Sequence, residues 1–172
     1  VAGINYQIAA SSSELTSAVS SPMTIVSAAV ASITILTQPS SGVAGQAFPT
    51  QPIIQALDSV GNLVSGVVTV TVTITTGAGD DTATLSGITS LNTSGGVATF
   101  TDLSIDKAAS GYTITFSTSG SISAVSNPFT IVPGAAAELA FTTQPIGSRS
   151  GHVLIVQPVV AVTDSFGNVV NT

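Results

Sequence analysis

Asp58-Ser59-Val60-Gly61-Asn62 and Asp164-Ser165-Phe166-Gly167-Asn168 are one turn written twice, 106 residues apart. The agreement extends outward at the same spacing: Thr37-Gln38-Pro39 returns as Thr143-Gln144-Pro145, Gly45 as Gly151, and Gln51-Pro52 as Gln157-Pro158. A second echo joins the start of the chain to its middle, where Ala18-Val19-Ser20-x-Pro22-x-Thr24-Ile25-Val26 reappears as Ala124-Val125-Ser126-x-Pro128-x-Thr130-Ile131-Val132. A fixed period of this kind marks a tandem array, of which the 172 residues show about one and a half units. The reading divides the chain at 1–31, the C-terminal part of a preceding repeat, 32–134, a complete repeat, and 135–172, the N-terminal part of a following one.

Within the complete repeat the strongest local signal is Val68 to Thr75, in which Val68, Val70, Val72 and Ile74 alternate with Thr69, Thr71, Thr73 and Thr75. Period two with β-branched residues on both faces is a half-buried strand. Ile33 and Ile35 open an earlier strand that Pro39 interrupts, as Pro does at sheet edges where no N–H is needed. Ile54 and Ala56 read as inward-facing, matched by the repeat to Val160 and Val162. The Asp58 to Asn62 segment reads as a hairpin turn, Asp accepting from backbone amides and Gly supplying positive φ. Gly77 to Asp81 is an acidic tip, Gly87 to Gly96 a loop, and Asp106 to Gly111 a turn. The sum is roughly seven short strands and no helix, which is an all-β, Ig-like β-sandwich. In the first unit, Ile4, Tyr6 and Ile8 are set beside Tyr112, Ile114 and Phe116. That alignment implies two extra residues in an exposed loop around Ser11 to Ser17, before Met23 and Ile25 close the unit and Ser27 to Ser32 joins it to the next.

Composition narrows function by exclusion. Charged residues make up 6% of the chain, against about 25% in an average globular domain, so solubility rests on Ser, Thr and Gly. With Lys107 and Arg149 the only cations and a formal net charge of −6, no basic surface exists to neutralise phosphates, which argues against nucleic-acid binding. The absence of cysteine removes disulfides, thiolate catalysis and zinc-thiolate sites. No run reaches the roughly 18 apolar residues of a membrane span. Val1 falls inside a repeat, so the expectation is that any export signal lies upstream.

The order Asp58-x-x-Gly61-Asn62-x-Val64-x-Gly66, the Val68 to Thr75 strand, Ala83-x-Leu85-Ser86, Gly96-Val97-Ala98-Thr99-Phe100 and Gly111-Tyr112-Thr113-Ile114-Thr115 resembles the bacterial Ig-like repeats of intimin and invasin type adhesins. Leu63 departs from the proline frequent after Gly-Asn in those repeats, and Val67-Val68 follows Gly66 where one valine is usual. The Thr-Gln-Pro opening is similar to that of long tandem repeats in giant bacterial surface proteins. The resemblance implies an extracellular, cell-surface location and a structural or adhesive role.

Few residues invite chemistry. Asp58, Asp80, Asp81, Asp102 and Asp106 sit at strand ends, where a hard cation such as calcium would need six to eight oxygens. No Asp-x-Asp-x-Asp spacing occurs and Asp58 is already used in its turn, which leaves Asp80 and Asp81 as the calcium candidates. Asn92-Thr93-Ser94 fits the N-glycosylation pattern and makes Asn92 the candidate sugar acceptor. His152, the only histidine, stands where the other copy has Gln46, and no Gly-x-Ser-x-Gly accompanies the many serines. The aromatics fall mostly at inward positions, except Phe166, which replaces Val60 at a turn tip and is placed to touch a neighbouring domain. The expectation is a non-catalytic stalk or spacer whose partners are adjacent repeats. Two alternatives stand beside it: a filament or sheath subunit in which partial repeats of different copies complete one another by strand addition, forming a homopolymer, and a carbohydrate-binding accessory module.

Overall fold

The computed structural model describes residues 1–170, and every regular element in them is a β-strand. Positions 171 and 172, which the sequence assigns to the third unit, lie outside the described residues. The chain begins with β1 (Gly3–Tyr6), β2 (Ala9–Ser12), β3 (Leu15–Val19) and β4 (Met23–Ile25), which form two antiparallel pairs, β1 with β4 and β2 with β3.

The middle of the chain opens with β5 (Ser32–Thr37), β6 (Gly42–Val43), β7 (Ile53–Leu57) and the Val/Thr strand β8 (Thr69–Ile74). It continues through β9 (Leu85–Ser86), β10 (Ser90–Asn92), β11 (Val97–Thr99) and β12 (Ser104–Ile105). It ends with β13 (Ala109–Tyr112), β14 (Ile114–Thr118), β15 (Ser123–Val125) and β16 (Phe129–Val132). One sheet runs in the order β10-β8-β14-β15; facing it are β11-β7-β5 and β13-β16-β6, in the last of which β16 and β6 pair in parallel. Beyond the middle unit, β17 (Glu138–Thr143) and β18 (Val159–Thr163) form a two-stranded antiparallel ribbon.

The core lies between the sheets of the middle unit. Val70 and Val72 of β8 and Ile114 and Phe116 of β14 point inward from one layer, and Ile33, Ile54, Ala56 and Ala98 meet them from the other. Phe100 packs on Phe116 with ring centroids 5.6 Å apart, and Phe48 meets Phe129 edge to face at 5.3 Å. Such aromatic pairs add about 0.5–1.5 kcal/mol beyond the area they bury. The outward face of β8 is hydroxyl, and its neighbours zip it across the ladder: Thr71 Oγ1 to Ser117 Oγ at 2.9 Å, Thr75 Oγ1 to Thr115 Oγ1 at 2.8 Å, and Thr69 Oγ1 donating to Asn92 Oδ1 at 2.7 Å. Neutral cross-strand pairs of this kind hold a sheet face in water without ions.

Five expectations need correction. The segment 87–96 is not simply a loop: β10 lies inside it and pairs with β8, Asn92 opposite Thr69, while glycines with positive φ at Gly87, Gly95 and Gly96 confine the turning to its ends. Likewise β13 occupies part of the expected 106–111 turn. The middle unit is cut more finely than seven strands, because bulges and breaks interrupt the ladders.

The two extra residues in the first unit do not exist. Gly3 pairs with Ile25 as Ala109 does with Ile131, Tyr6 with Met23 as Tyr112 with Phe129, and Ala9 with Val19 as Thr115 with Val125, all at the 106-residue spacing. The expected loop around Ser11 to Ser17 is the β2–β3 hairpin. The error has a physical source, since a period-two pattern is unchanged by a slip of two residues. Nor are the matched positions buried alike: Val160 is 49% exposed where Ile54 is 0%. Among the described residues no sheet faces the ribbon.

Candidate functional site: the joints between units

Each Asp-Ser-x-Gly-Asn turn serves two purposes, and the second is visible only in three dimensions. The turn closes on itself through Asp58 N–H to Asn62 O at 2.9 Å and Gly61 N–H to Asp58 O at 3.1 Å. Gly61 sits at φ 84, in the region where a side chain is strained, which fixes glycine at this position. Asp58 Oδ1 accepts from the amides of Val60 (3.0 Å) and Asn62 (2.8 Å), a side-chain cap on the turn.

The other oxygen reaches out of the turn. Asp58 Oδ2 accepts from Asn62 Nδ2 at 2.9 Å and from the amide of Ala28, in the linker, at 3.2 Å, while Asn62 Oδ1 accepts from the amide of Ala2 at 3.1 Å. One turn thus grips the preceding unit at two points, 30 and 60 residues back. The second joint repeats the scheme. Asp164 Oδ1 accepts from Phe166 and Asn168 amides, both at 2.9 Å, and Oδ2 from Asn168 Nδ2 and the linker amide of Gly134, both at 2.8 Å. Asn168 Oδ1 accepts from the amide of Ala108 at 2.9 Å, and the separations are again 30 and 60.

Behind the gripped amide stands a tyrosine. Tyr112, fully buried, donates its hydroxyl to Lys107 O at 2.9 Å, and Tyr6 donates to Val1 O at 3.2 Å. The hydroxyl ties the chain one residue before the amide that Asn168 or Asn62 receives, and at the second joint, where Tyr112 is buried, this links the core of the middle unit to its joint.

The second joint carries additional contacts. Asn168 Nδ2 also donates to Asp106 O at 2.8 Å, and Lys107 Nζ donates to Phe166 O at 2.6 Å. The Phe166 ring lies against Gly45 of the middle unit, close enough that a Cβ there would sit 2.1 Å from Cε2. Sequence reasoning placed Phe166 against a neighbour, and it touches one.

Charge at the joints follows from these donors. The Asn62 side-chain amide, opposed by burial and assisted by the amides of Asn62, Ala28 and Val60, holds the Asp58 carboxyl at about 2. Burial pushes Asp164 upward, and the Asn168 side chain with the amides of Gly134, Asn168 and Phe166 outweighs it, leaving the group below its ordinary value. Each carboxylate is surrounded by N–H donors, which present positive ends to any cation and occupy the oxygens a metal would need.

The remaining candidates stay apart. Asp80 Oδ1 accepts from Thr82 N at 2.7 Å and Thr82 Oγ1 at 2.6 Å, and the Thr82 hydroxyl foremost keeps that carboxyl below its usual range. Asp81 is exposed, Asp102 caps the amide of Ile88 and Asp106 that of Thr84. Among the described residues no three His, Cys, Asp or Glu side chains converge. Asn92 stands outward on β10 rather than in a loop, and His152 lies exposed in the turn its amide makes with Arg149 O. What sequence reasoning missed was Asn62 and Asn168 as grips; the signal was an asparagine kept in both copies where the turn itself needs only glycine.

No family model matches the chain. Mouse fibrocystin-L is 32% identical over 114 residues, covering 62% of this chain and 3% of that protein, so the chain spans a small fraction of its relative's length. Among solved structures, InvD of Yersinia pseudotuberculosis superposes with a TM-score of 0.52 at 17% identity, over 99% of this chain and 52% of that one. Domains 4–9 of the surface layer protein SbsC give 0.41 at 20% identity, over 99% and 25% of the two chains. With the strand order described above, the likeness to InvD defines the fold class, an all-β Ig-like sandwich.

Proposed function

We propose that the chain is a stretch of a tandem array of Ig-like repeats outside a prokaryotic cell, with 32–134 a complete repeat and 1–31 and 135–172 parts of its neighbours, and that its work is mechanical: a stalk or spacer without catalysis. One observation carries this reading. The same grip, with the same separations, occurs at both joints. A joint that recurs with the sequence period repeats one rotation and one translation, and such a chain propagates as a rod. The likeness to InvD and to a surface layer protein agrees with a place at the cell surface. Arrays of two, three and four repeats test the reading by small-angle scattering: the maximum dimension should grow by an equal step with each repeat, and compact growth would reject the rod.

The filament reading draws support from the uncovered faces of both end units. Against it stands what those units contain. Among the described residues the first unit shows counterparts of β13 to β16 and the last counterparts of β5 and β7, so these two parts paired with each other would supply no counterpart of β8 to β12 or of Val70, Val72, Phe100, Leu103 and Ile105 of the core. Removing residues 1–26 should therefore leave the assembly state unchanged; loss of polymers on that deletion would restore the filament.

A further inference from the structure

The two joints share a frame but not a latch. At the second, Phe166 and Lys107 add a ring seated on Gly45 and an ammonium on the Phe166 carbonyl. At the corresponding positions of the first joint stand Val60 and Val1. Neither valine can replace them. The ring atoms against Gly45 are Cε2, Cζ and Cδ2, and valine, which ends at Cγ, has none of them. Val1 has no side-chain donor for a carbonyl.

From this we propose that the array contains joints of two grades, and that the grade is written in two positions per repeat: the tip residue of the Asp-Ser-x-Gly-Asn turn and the residue one before the amide that the turn's Asn receives. Phenylalanine with lysine makes a latched joint; two valines leave the amide grips, joined at the first joint by the Ser65 amide donating to Ser27 Oγ at 2.8 Å, without ring or ammonium. The partner of the latch is the glycine notch at Gly45, kept in the next copy as Gly151, so the surface that reads a tip side chain belongs to the preceding repeat. A notch without Cβ accepts a flat ring where any larger residue would collide. Its φ of 73 already requires glycine, which keeps the notch open in each copy while the tip is free to vary. The stiffness of a stalk could then be set joint by joint without altering the fold of any repeat. This inference rests on the rod reading.

The chain has no cysteine, so paired labels can be placed anywhere. Spin labels at Thr73→Cys and Ser148→Cys span the second joint, and labels at Glu14→Cys and Thr73→Cys span the first; all three positions are exposed. In the intact chain, the distance distribution across the second joint should be the narrower. Phe166→Val together with Lys107→Met should raise its undocked population about tenfold, the ratio equivalent to ~1.4 kcal/mol, with the melting of the middle unit unchanged. Two narrow distributions that the double substitution leaves untouched would remove the latch and keep the rod. Two broad distributions in the unaltered chain would overturn both.

Discussion

The hairpin β2–β3 and the hairpin β14–β15 are the same object in different company. Their ladders share a register, and the same capping serine closes both: Ser20 Oγ accepts from the amide of Ile8 at 3.0 Å as Ser126 Oγ accepts from that of Ile114 at 3.0 Å. Yet Ile8 is 66% exposed and Ile114 is 0%. The backbone pattern of a repeat is decided within some twenty residues, whereas burial depends on β8 and the sheet beyond, which only the middle unit has in view. Local hydrogen bonding is therefore set here without core formation: β2–β3 shows the first alone and β14–β15 shows both.

The largest test of that contrast is a pair of truncations. Ile114→Ala should cost about 2–5 kcal/mol, the transfer and cavity terms of a buried aliphatic, and Ile8→Ala no more than about 0.5 kcal/mol, as for a surface change. Both are read from denaturant unfolding of the middle unit and of the N-terminal hairpin. An equal cost at Ile8 would show that its face is covered in solution. Next come the joints: Asp164→Ala strips four amide donors of their acceptor, and orphaned buried donors cost about 1–3 kcal/mol. Loss of protection at the Gly134 and Phe166 amides in hydrogen exchange, with Ile114 still protected, would place that cost in the joint rather than the core.

Smaller still is the serine pair. Ser126→Ala leaves the buried amide of Ile114 without a partner and should lower stability by about 1 kcal/mol, while Ser20→Ala frees an amide that water can reach and should cost a few tenths at most. The smallest effect is one of pH. Asp58 has a folded value of about 2 against 3.8 unperturbed, so its contribution is fully present above 3.8 and is lost as pH falls through 2. Melting followed from pH 6 to pH 2 should show the first joint loosening only at the acid end. In Asn62→Ala, which removes the largest cause of the shift, the acid loosening should shrink and its lower end should move up toward 3.8.

How much of this was legible depended on range. The alternation of Val68 to Thr75 gave β8 its inner and outer faces because the information lies in the strand itself, and the Asp58 turn was readable because its cap spans five residues. The β10 strand escaped because Ser90, Leu91 and Asn92 are too few to show a period, and their partner Thr69 is far away in sequence. The false insertion arose where alternation was the only guide; the Tyr6 and Tyr112 pairings, which fix the frame, are long-range contacts. The site was half visible. Asp58 Oδ1 serves its own turn, so its purpose could be read locally, while Oδ2 serves an amide 30 residues back. No local pattern announces that second contact, although the same turn returning 106 residues later did announce that something beyond the turn was being kept.

The threonine face of β8 has a consequence for the media in which such a repeat keeps its fold. Its polar contacts run hydroxyl to hydroxyl and hydroxyl to amide, and dissolved ions screen interactions between charges, not between neutral dipoles in contact. A surface built this way keeps its contacts from fresh water to brine, over a span of ionic strength in which ion pairs between exposed lysine and glutamate would be progressively screened.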